Sequence, residues 1–196
     1  MIADIGGSRF EWGSRTYVMG IINTTPDSFS GDGLGADQDQ AVAQGLRMVR
    51  EGADMLDVGG ESTRPGHEPV SASQEVARTE AVVARLAREA TVPISIDTYK
   101  LEVAEAAVAA GATIVNDIWG LTRSPALAHF AATNSCALVV MHNQDGTEYQ
   151  TDLMQEIKRF LRVAVDNAIK AGVPRERVLI DPGIGFGKTG EQNWVV

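Results

Sequence analysis

One phrase recurs along this chain: a helical stretch, a glycine, a short apolar strand, then a polar residue. The strands read as 18–22, 55–58, 94–96, 114–115, 137–140 and 178–180. Short runs of this kind suit a parallel sheet buried on both faces. The intervening helices are legible from apolar spacing. Val42, Gly45, Leu46 and Val49 share one face, and Val76, Val83 and Leu86 share another. Leu153, Ile157, Phe160, Leu161, Ala164 and Ala168 form the clearest stripe. Asp37 with Gln40 and Ser71 with Gln74 have capping-box form, and Gly52, Gly111 and Gly172 stand where helices stop. Pro125 suits the first turn of a short helix. About six βα units follow, joined by right-handed crossovers.

Strict alternation leaves a doubly wound sheet or a (β/α)8 barrel. A dinucleotide fold wants G-x-G-x-x-G after its first strand, and residues 23–33 do not supply it. The run Gly183-x-Gly185-x-Gly187 follows the last strand instead. Polar residues end every strand, which favours the barrel, whose active site draws on many strand ends. A barrel takes about 250 residues. The 196 here predict a single domain over 1–196, a TIM barrel truncated to about six βα units. Two β-prone pieces, 9–12 and 16–18, predict a short N-terminal hairpin around Gly13-Ser14-Arg15. Thr189 with Gln192 is a further capping box, expected to open another helix.

Composition narrows the partners. A net charge of −9 argues against nucleic acid but leaves room for a small phosphorylated ligand helped by a metal ion, an arginine or helix N-termini. No apolar run reaches the roughly 18 residues of a membrane span. The N-terminus has neither the basic start nor the apolar core of a signal peptide. Cys136 is the lone cysteine; beside residues 137–140 it reads as a core residue, and the cytoplasm is the expected compartment.

The strand ends carry Asn23; Glu61, Thr63 and Arg64; Asp97; Asn116 and Asp117; Met141 and His142; and Asp181. Taken singly, each reads as well as a cap, a turn residue or a satisfied core group. Taken together, they put acids and amides around one rim, which is costly unless a ligand or water pairs them. Asp97, Asp181 and Asn116 suit a flat heterocycle with an amino-pyrimidinone edge rich in N–H donors. Asn23, Thr63 and Arg64 suit an oxygen-rich anion, with Mg²⁺ as a hard oxygen-seeking companion.

Residues 23–30, N-T-T-P-D-S-F-S, and 60–66, G-E-S-T-R-P-G, resemble the two signature loops of the dihydropteroate synthase family. Ile96-Asp97-Thr98, Asn116-Asp117-Ile118, Met141-His142 and 181–188, D-P-G-I-G-F-G-K, are similar to that family's later motifs, in order. The resemblance implies a pterin-binding TIM barrel that joins 6-hydroxymethyl-7,8-dihydropterin pyrophosphate to p-aminobenzoate, releasing pyrophosphate by an SN1-like loss. It implies catalytic roles for Asn23, Asp27, Thr63 and Arg64. Asp97, Asn116 and Asp181 would hold the pterin, with Ile118, Met141 and Phe186 packing on it. Phe29 and Pro65 would line the p-aminobenzoate pocket, Thr63 and Arg64 would face the phosphates, and Asn23 would bind Mg²⁺. The chain departs from the family pattern in having Asn143 where a second methionine is common. It also has no counterpart to the family's later lysine or to the arginine and histidine of its last strand. The resemblance implies a homodimer for a full-length chain. Two other readings stay open at this level: a methyltetrahydrofolate-binding methyltransferase domain, and an inactive barrel fragment.

Overall fold

A computed structural model of the chain describes residues 1–25, 34–62 and 69–196. Six parallel strands lie side by side in chain order: β3 (Met19–Asn23), β4 (Met55–Gly59), β5 (Ile94–Asp97), β6 (Ile114–Asp117), β7 (Ala137–Met141) and β8 (Val178–Asp181). The helices between and after them are α1 (Leu34–Arg50), α2 (Ala72–Glu89), α3 (Leu101–Ala109), α4 (Ala126–Thr133), α5 (Leu153–Lys170) and the short α6 (Gly190–Asn193). Preceding the sheet is a hairpin, β1 (Ile2–Ile5) with β2 (Ser8–Glu11).

Side chains alternate across each strand, so each strand feeds two different cores. Leu56, Val58, Ile94, Ile96, Val115, Leu138 and Val140 pack on Val42, Val83, Leu86, Val103, Leu127 and Ala164 of the helices. Fully burying side chains of this size contributes roughly 1.5–3 kcal/mol each before entropy is counted. On the opposite face, Met55, Ile114, Ala137 and Val139 pack on Ala3, Ile5 and Phe10 of the hairpin. Met19, from the first main strand, and Leu179, from the last, join that same cluster. A sheet whose outermost strands touch one plug is curled, and helices cover only its outer face. This is barrel wall and not a doubly wound sheet.

The hairpin differs in detail from its expectation. The turn is Gly6-Gly7, both in the left-handed region (φ 54° and 80°), which is the two-residue geometry that matches strand twist. Residues 16–18 contribute an aromatic side chain in place of a strand. Tyr17 lies edge-on to Phe10 at 5.1 Å and to Trp12 at 5.4 Å, and its hydroxyl accepts the Glu11 N–H at 2.9 Å. Helix α1 starts at Leu34, so Asp37 falls within it and does not cap it. The reason is that an acid is favoured both at the cap and in the first turn. The Ser71 box is formed: Ser71 Oγ accepts the Gln74 N–H, and Gln74 Oε1 accepts the Ser71 N–H. The Thr189–Gln192 box forms likewise at α6. Among the described residues no helix is long and apolar enough to cross a membrane.

Candidate active site at the C-terminal strand ends

Strand register decides which polar residues share the inner face. Asn23 pairs with Gly59, Gly59 with Asp97, and Asp97 with Asn116. Asn116 continues to Val139 on β7, and two residues further on Met141 pairs with Asp181. The alternation therefore places Asn23, Asp97, Asn116, Met141 and Asp181 on one side of the sheet, at its C-terminal end. That end is where barrels carry their chemistry. Backbone contacts hold the row together: the Thr24 N–H and hydroxyl both donate to the Gly59 carbonyl, at 2.8 and 3.0 Å.

Beneath this row lies a residue that the sequence reading passed over. Asp57, 4% exposed, points from β4 to the inner face, and its Oδ2 accepts an N–H from Asn116 at 3.0 Å. Its neighbour in the register is Ser95, fully buried. Neither Asp57 Oδ1 nor Ser95 Oγ meets hydrogen-bond geometry with any described residue. Burial raises the Asp57 carboxyl above its ordinary range, opposed by Ser95 and Asn116 beside it. Asp97 is held well above the usual carboxylate range by burial first and then by the charge of Asp57. A signal was available: Asp57 is the single charge in M-L-D-V-G, and it shares strand parity with Gly59.

Other strand-end residues turn away from the row. Asp117 is fully buried and accepts the N–H groups of Trp119 (2.9 Å) and Leu121 (2.6 Å), so it shapes the turn after β6. Glu61 accepts from Val70 N–H at 3.1 Å, from Tyr99 hydroxyl at 3.0 Å and from Lys100 at 2.5 Å. Lys100 also reaches the buried Glu75 at 2.5 Å. Burial opposes charge at Glu61 and Lys100, but their hydrogen bonds outweigh it, lowering Glu61 and raising Lys100. This network joins Glu61 to Val70, to Glu75 on α2 and to Lys100 at the start of α3.

His142, 3% exposed, faces Lys188 rather than the mouth. The lysine Nζ lies 3.1 Å from its Nδ1 and donates to the carbonyls of Gly183 (2.8 Å) and Phe186 (2.9 Å). Burial, then the lysine charge, pull the imidazole down to about 4, so it is neutral at pH 7 with Nδ1 as acceptor. Burial also lowers Lys188. The pair pins the glycine run after β8. Gly183 sits at φ 72°, where a side chain's Cβ would fall 2.0 Å from the His142 carbonyl oxygen. Asp181 Oδ1 accepts the Gly183 N–H at 2.7 Å. Cys136 is buried, with its thiol raised to about 11 by burial, as befits an inert core residue.

Ile118 and Phe186 line a cavity of about 530 Å³ together with Tyr99, Trp119 and Arg123. The Arg123 guanidinium covers the Trp119 ring at 3.4 Å. Asp97, Asn116 and Met141 are outside that lining. Asp27, Phe29, Thr63, Arg64 and Pro65 lie outside the described residues. For Mg²⁺, Asn23 supplies one exposed oxygen donor at the end of β3. Among the described residues no three His, Cys, Asp or Glu side chains gather as a metal cage.

Residues 19–196 match the pterin binding enzyme family. A dihydropteroate synthase of Clostridium beijerinckii is 48% identical over 189 residues, covering 96% of this chain and 70% of that one. The dihydropteroate synthase of Clostridium difficile, solved in the presence of pteroic acid, superposes with a TM-score of 0.91 at 48% identity, covering 95% of this chain and 71% of that one. The Xanthomonas albilineans dihydropteroate synthase, solved with 4-aminobenzoic acid, gives 0.91 at 42% identity over 99% of this chain and 70% of that one. The chain thus spans about 70% of the length of these relatives.

Proposed function

The chain belongs to the pterin binding enzymes, and within them to the dihydropteroate synthases, and from that premise we propose how its residues serve the reaction. The reaction is a transfer: the C–O bond of 6-hydroxymethyl-7,8-dihydropterin pyrophosphate breaks and a C–N bond to p-aminobenzoate forms. Pyrophosphate leaves, and the arylamine gives up a proton. The observation that carries the assignment of roles is the register row, with Asn23, Asp97 and Asn116 abreast and Asp181 one step above.

In this reading Asp97, Asn116 and Asp181 accept hydrogen bonds from the amino-pyrimidinone edge of the pterin. Ile118, Met141 and Phe186 pack against its ring. Asn23, with Thr63 and Arg64, faces the diphosphate. Mg²⁺, when bound with the substrate, supplies charge neutralisation for the leaving pyrophosphate. Departure of the diphosphate precedes attack by the amine, and the acids of the row stabilise the positive charge that develops on the pterin methylene. Phe29 and Pro65 belong to the p-aminobenzoate side of the site, and Asp27 has a catalytic role. The buried lone thiol suits a reducing cytoplasm.

The test has two stages. Fluorescence titration with 6-hydroxymethylpterin reports the pterin site, and release of pyrophosphate from the two substrates with Mg²⁺ reports turnover. Saturable pterin binding that is weakened but still measurable in Asp97→Ala and in Asn116→Ala supports the assignment. Undiminished binding in both variants overturns it.

A further inference from the structure

We propose that Asp57 is a positioning residue that acts through Asn116: it fixes the orientation of the Asn116 amide so that the site offers only acceptors to the N–H edge of a pterin. The inference rests on the pterin-site reading given above and adds a residue to it. An asparagine amide is two-faced, with a carbonyl oxygen that accepts and an amino group that donates. Which face meets a ligand depends on what holds the other. Here the amino group donates to Asp57 Oδ2 at 3.0 Å, and the Asn116 side chain makes no further hydrogen bond among the described residues. The amide oxygen is thereby left for a donor.

Three features make Asp57 suited to this and poorly explained as a stabilising group. It is 4% exposed within an otherwise apolar strand, and a charge so placed is unfavourable without full pairing. One of its oxygens has no well-formed partner, and the Ser95 hydroxyl beside it is in the same condition. It stands one register step below Asp97, whose carboxyl is the other acceptor of the row. Were the amide turned over, its amino group would face the ligand's N–H donors, and two donors opposed in a partly buried site leave both unsatisfied. The carboxylate of Asp57 disfavours that flip, because the amide oxygen would then oppose it.

A double-mutant cycle tests the inference, since it separates action through Asn116 from an independent effect. The probe is 6-hydroxymethylpterin, titrated by its own fluorescence against the full chain, with thermal unfolding recorded for each variant. Asp57→Ala is expected to weaken binding about tenfold, as for loss of one well-placed hydrogen bond near 1.4 kcal/mol. In the Asn116→Ala background the same change is expected to cost nothing further. Asp57→Asn, which keeps an acceptor oxygen, is expected to retain most of the affinity. Where Asp57→Ala does not fold, Asp57→Val removes the acceptor with less loss of volume and carries the same comparison. Additive losses, or full affinity in Asp57→Ala, overturn the inference while leaving the pterin reading intact. Failure of the unchanged chain to bind the probe overturns both.

Discussion

The two ends of the curled sheet are built on opposite principles. At the N-terminal end, Phe10, Met55, Ile114 and Ala137 close the interior with apolar contacts, and Trp12 stacks on Phe10 with Tyr17 edge-on to it. At the C-terminal end the interior holds Asp57, Ser95, Asp97 and Asn116, including buried oxygens without a well-formed bond. One end gains stability from burial; the other gives some up by burying acids, a hydroxyl and an amide. The difference explains why the hairpin is packed as a plug, while the strand ends open onto loops.

Four measurements break or sharpen this contrast, taken from the largest expected effect. Phe10→Ala removes the fully buried centre of the plug and is expected to cost about 4 kcal/mol in denaturant unfolding. Pterin affinity of the folded fraction should not change. A variant that loses affinity but keeps its stability would reverse the assignment of the two ends.

Gly183→Ala, at the polar end, is expected to cost about 3 kcal/mol, because its Cβ would collide with the His142 carbonyl at a positive φ. Gly7→Ala, in the hairpin turn, shares the positive φ but meets open space, and should cost about 1 kcal/mol. Equal losses would mean that strain alone governs both sites.

Acid sensitivity should also reside at the polar end. His142 is neutral in the fold, with its value lowered from 6.5 to about 4, so the unfolded chain binds the extra proton first as pH falls. Its contribution is present above pH 6.5 and is lost between 6.5 and 4; the full shift corresponds to roughly 3 kcal/mol, which solvent screening reduces to about 2 kcal/mol. His142→Gln should flatten that limb of the unfolding curve measured against pH.

The smallest effect is a gain. Asp97 is raised above its ordinary 3.8 by burial and by Asp57, so its ionisation destabilises the fold as pH rises. Asp97→Asn should stabilise by about 1 kcal/mol at pH 7, and the gain should vanish below pH 3.8. Pterin affinity should fall at the same time. A stabilised variant with full affinity would remove Asp97 from the site.

Much of this was legible in the chain, for local reasons. The Ser71 and Thr189 boxes, the α5 stripe and the glycine stops each depend on residues within a few positions of one another. The strand-terminal Asn23, Asp97, Asn116 and Asp181 were found because an apolar run that ends in a polar residue marks a strand end. The hairpin was placed too late because aromatic 16–18 looked like ladder, when it was packing. Asp57 was missed because a mid-strand acid has no local reading. His142 could not be told from a mouth residue until Lys188 was seen against it.

The sequence by itself settled the six main strands, the helices between them and which polar residues terminate those strands, because periodicity and capping act over a turn or two. Tertiary structure alone decided that the sheet curls onto a plug and that Asp57 meets Asn116 across 59 positions. It also decided which acids are pushed above the ordinary carboxylate range. Register, burial and the field of neighbouring charges are set by distant strands, and no local pattern encodes them.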